Sequence, residues 1–254
     1  MIQRLLFCFA LFGLHGSIAV ADQQPAESRA MLQWSELPEL PDQLGVAGPF
    51  AGVHNDALIV AGGANFPTPV WDNEKVWHDA IYVLTRGGED YVWKAGGKLP
   101  RPLAYGAAVS TADGVVCIGG NDADETSSDV FLLQVDAETH QVTKTDYPPL
   151  PRPCAFGSAA LVGDVIYLAG GQSGQTLDTA MKNLWSLDLS NQQNPRDFVW
   201  KQHDPMPGPS RALNITVAQH DGYHPSLYVI SGRRQEGDEI QFLKDCWQFT
   251  PKTG

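Results

Sequence analysis

The chain has 254 residues and an acidic balance, 17 Lys and Arg against 29 Asp and Glu, for a formal net charge of −12. That charge argues against nucleic acid or an anionic membrane surface as a partner. No disulfide framework is expected from the chain's four cysteines, so packing has to hold the fold together.

The N-terminus reads as a secretory signal peptide. A positive start (Met1-Ile2-Gln3-Arg4) is followed by an apolar run from Leu5 to Leu14 and a small-x-small site ending at Ala21. The apolar run is too short to span a bilayer comfortably. Cleavage after Ala21 is expected, leaving a secreted or periplasmic protein with no membrane partner. Residues 22–33 read as a linker. Cys117, Cys154 and Cys246 would remain, an odd number that allows at most one intrachain disulfide. Cys117 lies in the apolar run Val115–Ile118 and is expected to be a small core residue.

Next in chain order comes Trp34–Pro38, an isolated outer-strand pattern, and then Gly45–Phe66. This second stretch joins a small-residue run, a polar turn (His54-Asn55-Asp56) and an apolar strand closed by Gly62-Gly63. The strand ending recurs at Val115–Gly120, Ile166–Gly171 and Leu227–Gly232. The second glycines at 63, 120, 171 and 232 are 57, 51 and 61 residues apart. Other features keep the same phase. Each diglycine is followed by a polar loop and a third strand, beginning near Asp79, Asp129, Asn183 and Asp245. Fourth strands open at Trp93 and Trp200 and end in Leu99-Pro100-Arg101, Leu150-Pro151-Arg152 or Met206-Pro207-Gly208.

Four short antiparallel strands repeated at a period near 50 residues predict an all-β, kelch-type β-propeller with four blades. The expected boundaries are about 45–100, 101–151, 152–207 and 208–254. The chain ends just after a third strand, so the outer strand at 34–38 is expected to complete the last blade and remove its open edge.

Loops after the diglycines and at the inner-strand entries should gather at one mouth of the channel. They carry Asn65 and Asn121, and the arginines Arg101, Arg152, Arg211 and Arg233. A basic mouth on an acidic protein would bind a carboxylate-bearing small molecule, because Arg can hold a carboxylate through two hydrogen bonds. The competing reading is that these arginines bond loop carbonyls and hold blades together. Glu236 is the weak candidate for a catalytic base. His54, His78, His203, His220 and His224 have no metal-ligand spacing, and neither a metal nor a cofactor is expected. A copper oxidase of galactose-oxidase type would need Tyr, Cys and His ligands to converge, which this pattern does not specify. Asn214-Ile215-Thr216 is a formal glycosylation sequon.

Gly45–Gly48 through Asn65-Phe66, then Ala104-Tyr105-Gly106, Val116–Gly120 and Asp129–Leu133, closely resemble blades of the kelch-type N-acetylneuraminate mutarotases, also called epimerases. These blades lie late in that family's chains and early in this one, so the resemblance is to its cyclically permuted branch. It is strongest over residues 34–135. It implies an exported, six-bladed, cofactor-independent propeller acting on the anomers of sialic acid. Two blades then have no counterpart here. The glutamate proposed as the family's catalyst belongs to one of them, since Ala64, Asn121, Gln172 and Arg233 stand at the equivalent turns. The alternative is a non-catalytic propeller that binds glycan or protein.

Overall fold

The computed structural model describes residues 34–251. The expected signal peptide and linker, 1–21 and 22–33, lie outside the described residues. Leu37–Gly254 forms one compact unit, built almost entirely from antiparallel strands.

The first sheet contains β1 (Phe50–His54) and β2 (Ala57–Ala61). The loop after β2 makes a small hairpin of β3 (Ala64–Asn65) and β4 (Val76–Trp77). The sheet then resumes with β5 (Ala80–Gly87) and β6 (Asp90–Lys98), in the order β1-β2-β5-β6. The second sheet is β7 (Ala107–Thr111), β8 (Gly114–Ile118), β9 (Val130–Val135) and β10 (Val142–Tyr147). The third is β11 (Ser158–Val162), β12 (Val165–Ala169), β13 (Leu184–Asp188) and β14 (Lys201–Gln202). The fourth has three strands, β15 (Ile215–His220), β16 (Pro225–Ile230) and β19 (Cys246–Phe249). Its β16–β19 loop holds a hairpin of β17 (Arg233–Glu236) and β18 (Glu239–Phe242).

The inner strands neighbour one another in chain order: β1 lies beside β7, β7 beside β11 and β11 beside β15. Three apolar layers fill the junctions. Phe50, Ile59 and Val83 meet Val115, Phe131 and Leu133 between the first two sheets. Val116, Ile118 and Leu132 meet Ile166, Leu168 and Trp185 between the next two. Tyr167 and Leu184 meet Leu227 and Val229 at the last. Burial follows position in this stack. Every residue of β8 is buried because its sheet is covered on both faces, whereas β2 alternates between buried and half-buried. Cys117 and Cys154 are buried thiols in this core and Cys246 is exposed; all three are free.

The diglycines fix the junctions. Gly62, Gly119 and Gly170 have φ of +68, +63 and +65°, and Gly63, Gly120 and Gly171 have φ of +100, +103 and +99°. These are backbone conformations that glycine adopts at little steric cost. At Gly119 a Cβ would lie 2.0 Å from the Cys154 carbonyl oxygen.

The expected closing strand is not formed. Residues 34–38 carry no strand, and the fourth sheet ends at β19. Instead the Pro38 carbonyl accepts a 2.8 Å hydrogen bond from the Trp93 indole of the first sheet. A proline-flanked stretch supplies few backbone donors for a ladder, and here it serves as an acceptor.

Gly119→Ala combines a forbidden contact with a strained φ and should cost about 2 kcal/mol or more. Gly163→Ala has a similar φ of +60° but open space around its Cβ, so it should cost only about 1 kcal/mol. Chemical denaturation of the two variants measures the difference.

Candidate functional site

The loops after the second strands and the entries to the inner strands meet on one side of the stack. Tyr105, Phe156 and Leu213 enter their inner strands with φ of +61, +56 and +58°, as does Gly48 with +61°. Each of the three donates its N–H to the preceding member of the series: Tyr105 to Gly48, Phe156 to Tyr105 and Leu213 to Phe156, at 2.7–2.8 Å. The rings of Tyr105 and Phe156 stack with centroids 4.6 Å apart.

Lys75 sits on this aromatic surface. Its ammonium lies 4.9 Å from the Tyr105 ring centroid, 5.3 Å from Trp77 and 5.5 Å from Phe66. These distances are within cation–π range. Lys75 is half-buried, and no acidic group pairs with it among the described residues. The indole of Trp77 donates to Asn121 Oδ1 at 3.3 Å, and Asn121 Nδ2 donates to Gln175 Oε1 at 3.1 Å. A platform of aromatic rings beside an unpaired ammonium can take a ligand with one apolar face and a carboxylate.

The arginines expected at the mouth divide into two groups. Arg101 pairs with Asp122, and with Glu125 and Asp129 at 3.2 Å. Burial opposes the Arg101 charge, but hydrogen bonds to Asp129 and Asp122 outweigh it and raise the guanidinium pKa above its ordinary value. Arg211 is fully buried. It binds Asp245 through two hydrogen bonds of 3.0 and 2.6 Å and the Ser231 carbonyl at 2.9 Å. Both side chains therefore hold the protein together and present no free charge to a ligand. Arg152 is exposed and reaches only Ser173 Oγ, at 3.5 Å. Arg233 lies with its guanidinium carbon 6.0 Å from the Phe242 ring centroid and pairs with no carboxylate among the described residues.

Asn65 is fully engaged, donating to Gly45 O and Asp42 Oδ1 and bonding His78 Nε2 at 2.8 Å. Asn121 is buried and joins three loops. Glu236 is exposed at the β17–β18 turn, where Arg234 at 2.5 Å and Gln241 at 3.1 Å occupy its carboxylate. The hairpin also separates Glu236 from Arg233, which pairs with Phe242 at its far end. Asn214 of the sequon is buried and bonded to the Ala169 carbonyl and Thr216 Oγ1, so the folded chain does not offer it as an acceptor. Among the described residues no group of three His, Cys, Asp or Glu side chains is placed to hold a metal.

Lys75, Trp77 and Gln175 escape sequence reasoning because their loops do not repeat between sheets. Tyr105-Gly106 and Phe156-Gly157 were visible as equivalent inner-strand starts, but not as a stacked pair.

Residues 18–142 match the family model described as N-acetylneuraminate epimerase. Over these residues the chain is similar to the N-acetylneuraminate epimerase family. The N-acetylneuraminate epimerase of Brucella suis (strain ATCC 23445 / NCTC 10510) is 39% identical over 127 residues, covering 43% of this chain and 32% of that protein. The Yersinia enterocolitica (serotype O:8 / biotype 1B) protein of the same name is 38% identical over 111 residues, 37% of this chain and 27% of its own. That of Yersinia pestis (strain Pestoides F) is 35% identical over 116 residues, 39% and 28%. The matches thus span about a third of the length of these relatives. The matched region holds β1–β9, Lys75, Trp77, Tyr105 and Asn121.

Arg211 and Trp247 hydrogen bonds, against the opposing effect of burial, hold the Asp245 carboxyl below its ordinary pKa of 3.8. Its contribution to stability is therefore present above that pH and is lost as pH falls through the folded-state pKa. Arg211→Gln should destabilise by about 3–5 kcal/mol at pH 7, since it leaves a carboxylate without its partner. The stability difference between variant and parent should shrink below pH 4, as denaturation across a pH series would measure.

Proposed function

We propose that the four sheets are blades of a kelch-type β-propeller and that the chain is an exported member of the epimerase family. Its mouth binds N-acetylneuraminate or a related sugar acid and accelerates exchange between anomers. The reading is carried by the platform of Tyr105, Phe156, Trp77 and Phe66 with the unpaired Lys75 above it, within the segment that matches the family. Lys75 would take the sugar carboxylate and the rings would cover an apolar face of the sugar. Arg152 and Arg233 are further cations on the same side of the stack. The N-terminal signal pattern supports export.

Exchange between anomers opens a hemiketal ring and recloses it. That requires a base at the anomeric hydroxyl and an acid at the ring oxygen. A bound carboxylate fixes the sugar for both transfers. No cofactor enters this chemistry. The state of Glu236, exposed and held by Arg234, favours a second reading, in which the mouth binds the sugar acid without catalysis.

One-dimensional NMR of anomer exchange, combined with calorimetry on the same protein, separates the two. Faster exchange with binding supports the epimerase, and binding without faster exchange supports the second reading. Absence of binding overturns both. Lys75→Ala should weaken sugar-acid binding about tenfold, equivalent to about 1.4 kcal/mol. Arg101→Ala should leave the affinity unchanged while lowering thermal stability.

A further inference from the structure

Arg101 and Arg152 hold the same place in successive repeats, just after the Leu-Pro pair and ahead of Tyr105 and Phe156. Tyr105 and Phe156 are linked members of one series, since Phe156 N donates to Tyr105 O at 2.7 Å. Arg101 is closed off by acids of the second sheet. Asp122 and Asp129 both accept from its guanidinium, and Glu125 lies 3.2 Å away.

The backbone identifies the third-sheet residues that stand where those two aspartates do. Gly119 N donates to Asp129 O, and Gly170 N donates to Asn183 O. Asn121 exchanges hydrogen bonds with Ala104, and Gln172 does the same with Ala155. The next residues are Asp122 and Ser173. Beside Arg152, both aspartates are therefore replaced by neutral residues.

The side chains show the consequence. Arg152 is exposed and its contact is Ser173 Oγ at 3.5 Å, the long limit of a hydrogen bond. Asn183 Nδ2 and Oδ1 are both buried, and neither has a hydrogen-bond partner. A buried amide left wholly unmatched is uncommon and marks a place where a partner is missing. A cleft of about 570 Å³ opens here, lined by Arg152, Ser173, Lys182 and Asn183 together with Asp178 and His203. That volume suits a small organic molecule.

The charge of the cleft is positive. Lys182 is exposed and, like Arg152, pairs with no carboxylate among the described residues. Asp178, the one acid among the described lining residues, accepts from Thr176 Oγ1. His203 is bonded to Ser186 Oγ at 2.8 Å. Burial and Lys201, against Asp204, hold its pKa below the ordinary value, so it adds no charge at neutral pH.

We propose that this cleft of the third sheet is a binding site for a hydroxylated carboxylic acid of the uronic-acid class. The ligand's carboxylate takes the place on Arg152 that Asp122 and Asp129 take on Arg101. A guanidinium can hold both oxygens of one carboxylate in a single plane. The cleft is far larger than a carboxylate, and Ser173 and Lys182 offer polar groups to hydroxyls on the rest of the molecule. None of Lys75, Phe66, Trp77 and Tyr105 lines it, so it is separate from the aromatic platform.

Calorimetric titration of glucuronate into the full chain carrying Lys75→Ala tests this, because that background weakens the other candidate site. Glucuronate should bind. Glucose, the same ring without the carboxylate, should bind at least about tenfold more weakly. Adding Arg152→Ala should weaken glucuronate at least about tenfold. Adding Ser173→Asp instead supplies the acid that Asp122 supplies to Arg101. It should abolish glucuronate binding and raise the melting temperature, a combination that misfolding does not produce. Absence of glucuronate binding overturns the inference, as does equal binding of glucose. So does binding that Arg152→Ala and Ser173→Asp leave unchanged, even if Ser173→Asp stabilises the chain. Failure here leaves the Lys75 site standing, since that site is read with N-acetylneuraminate and with Lys75 in place.

Discussion

The structure depends on backbone hydrogen bonds between sheets. Strands pair only within a sheet, and apolar layers alone would let one sheet slide on the next. The N–H groups of Gly63, Gly120 and Gly171 and the series Gly48, Tyr105, Phe156 and Leu213 remove that freedom, because each donates one hydrogen bond to the neighbouring sheet or, at Gly48, accepts one from it. The geometry requires positive φ at each member of the series. Glycine meets that requirement at Gly48 without steric cost; Tyr105, Phe156 and Leu213 carry roughly 1–2 kcal/mol of strain each. Stacking of Tyr105 on Phe156 offsets part of it. The Tyr105 ring then forms part of the floor on which Lys75 rests, so the constraint that orders the sheets also builds the candidate site.

The cations of these loops fall into paired and unpaired groups. Arg101 and Arg211 lie near two different inner-strand entries and are both neutralised by aspartates of the same junctions. Lys75 lies in the β3–β4 hairpin of the first sheet, and Phe66, Trp77 and Lys75 itself are turned to the Tyr105 platform.

Much of the fold was legible in the residues. Apolar strands closed by glycine pairs located the second strand of all four sheets, and Trp93 and Trp200 marked outer strands whose indoles do reach the preceding segment. The site was far less legible. Recurrence of Arg101, Arg152 and Arg211 suggested a ring of free charge, yet whether an arginine is free depends on partners such as Asp122 and Asp245, which lie 21 and 34 residues away. Glu236 was selected by its place after a diglycine-like turn, and its pairing with Arg234 on a hairpin was invisible in a loop without a repeat pattern.

The sequence by itself determined the local and periodic features: four strand sets in phase, the turns that need glycine, the apolar positions that become core, and the similarity to one family over residues 18–142. These follow from steric limits on the backbone and from hydrophobic spacing, both of which act over a few residues and are repeated along the chain. Only the tertiary structure decided which arginines are neutralised, which lysine stays unpaired above stacked rings, and that Pro38 binds the first sheet while β19 keeps an open edge. Those outcomes depend on which distant groups meet, and no spacing along one chain specifies that until the sheets are packed.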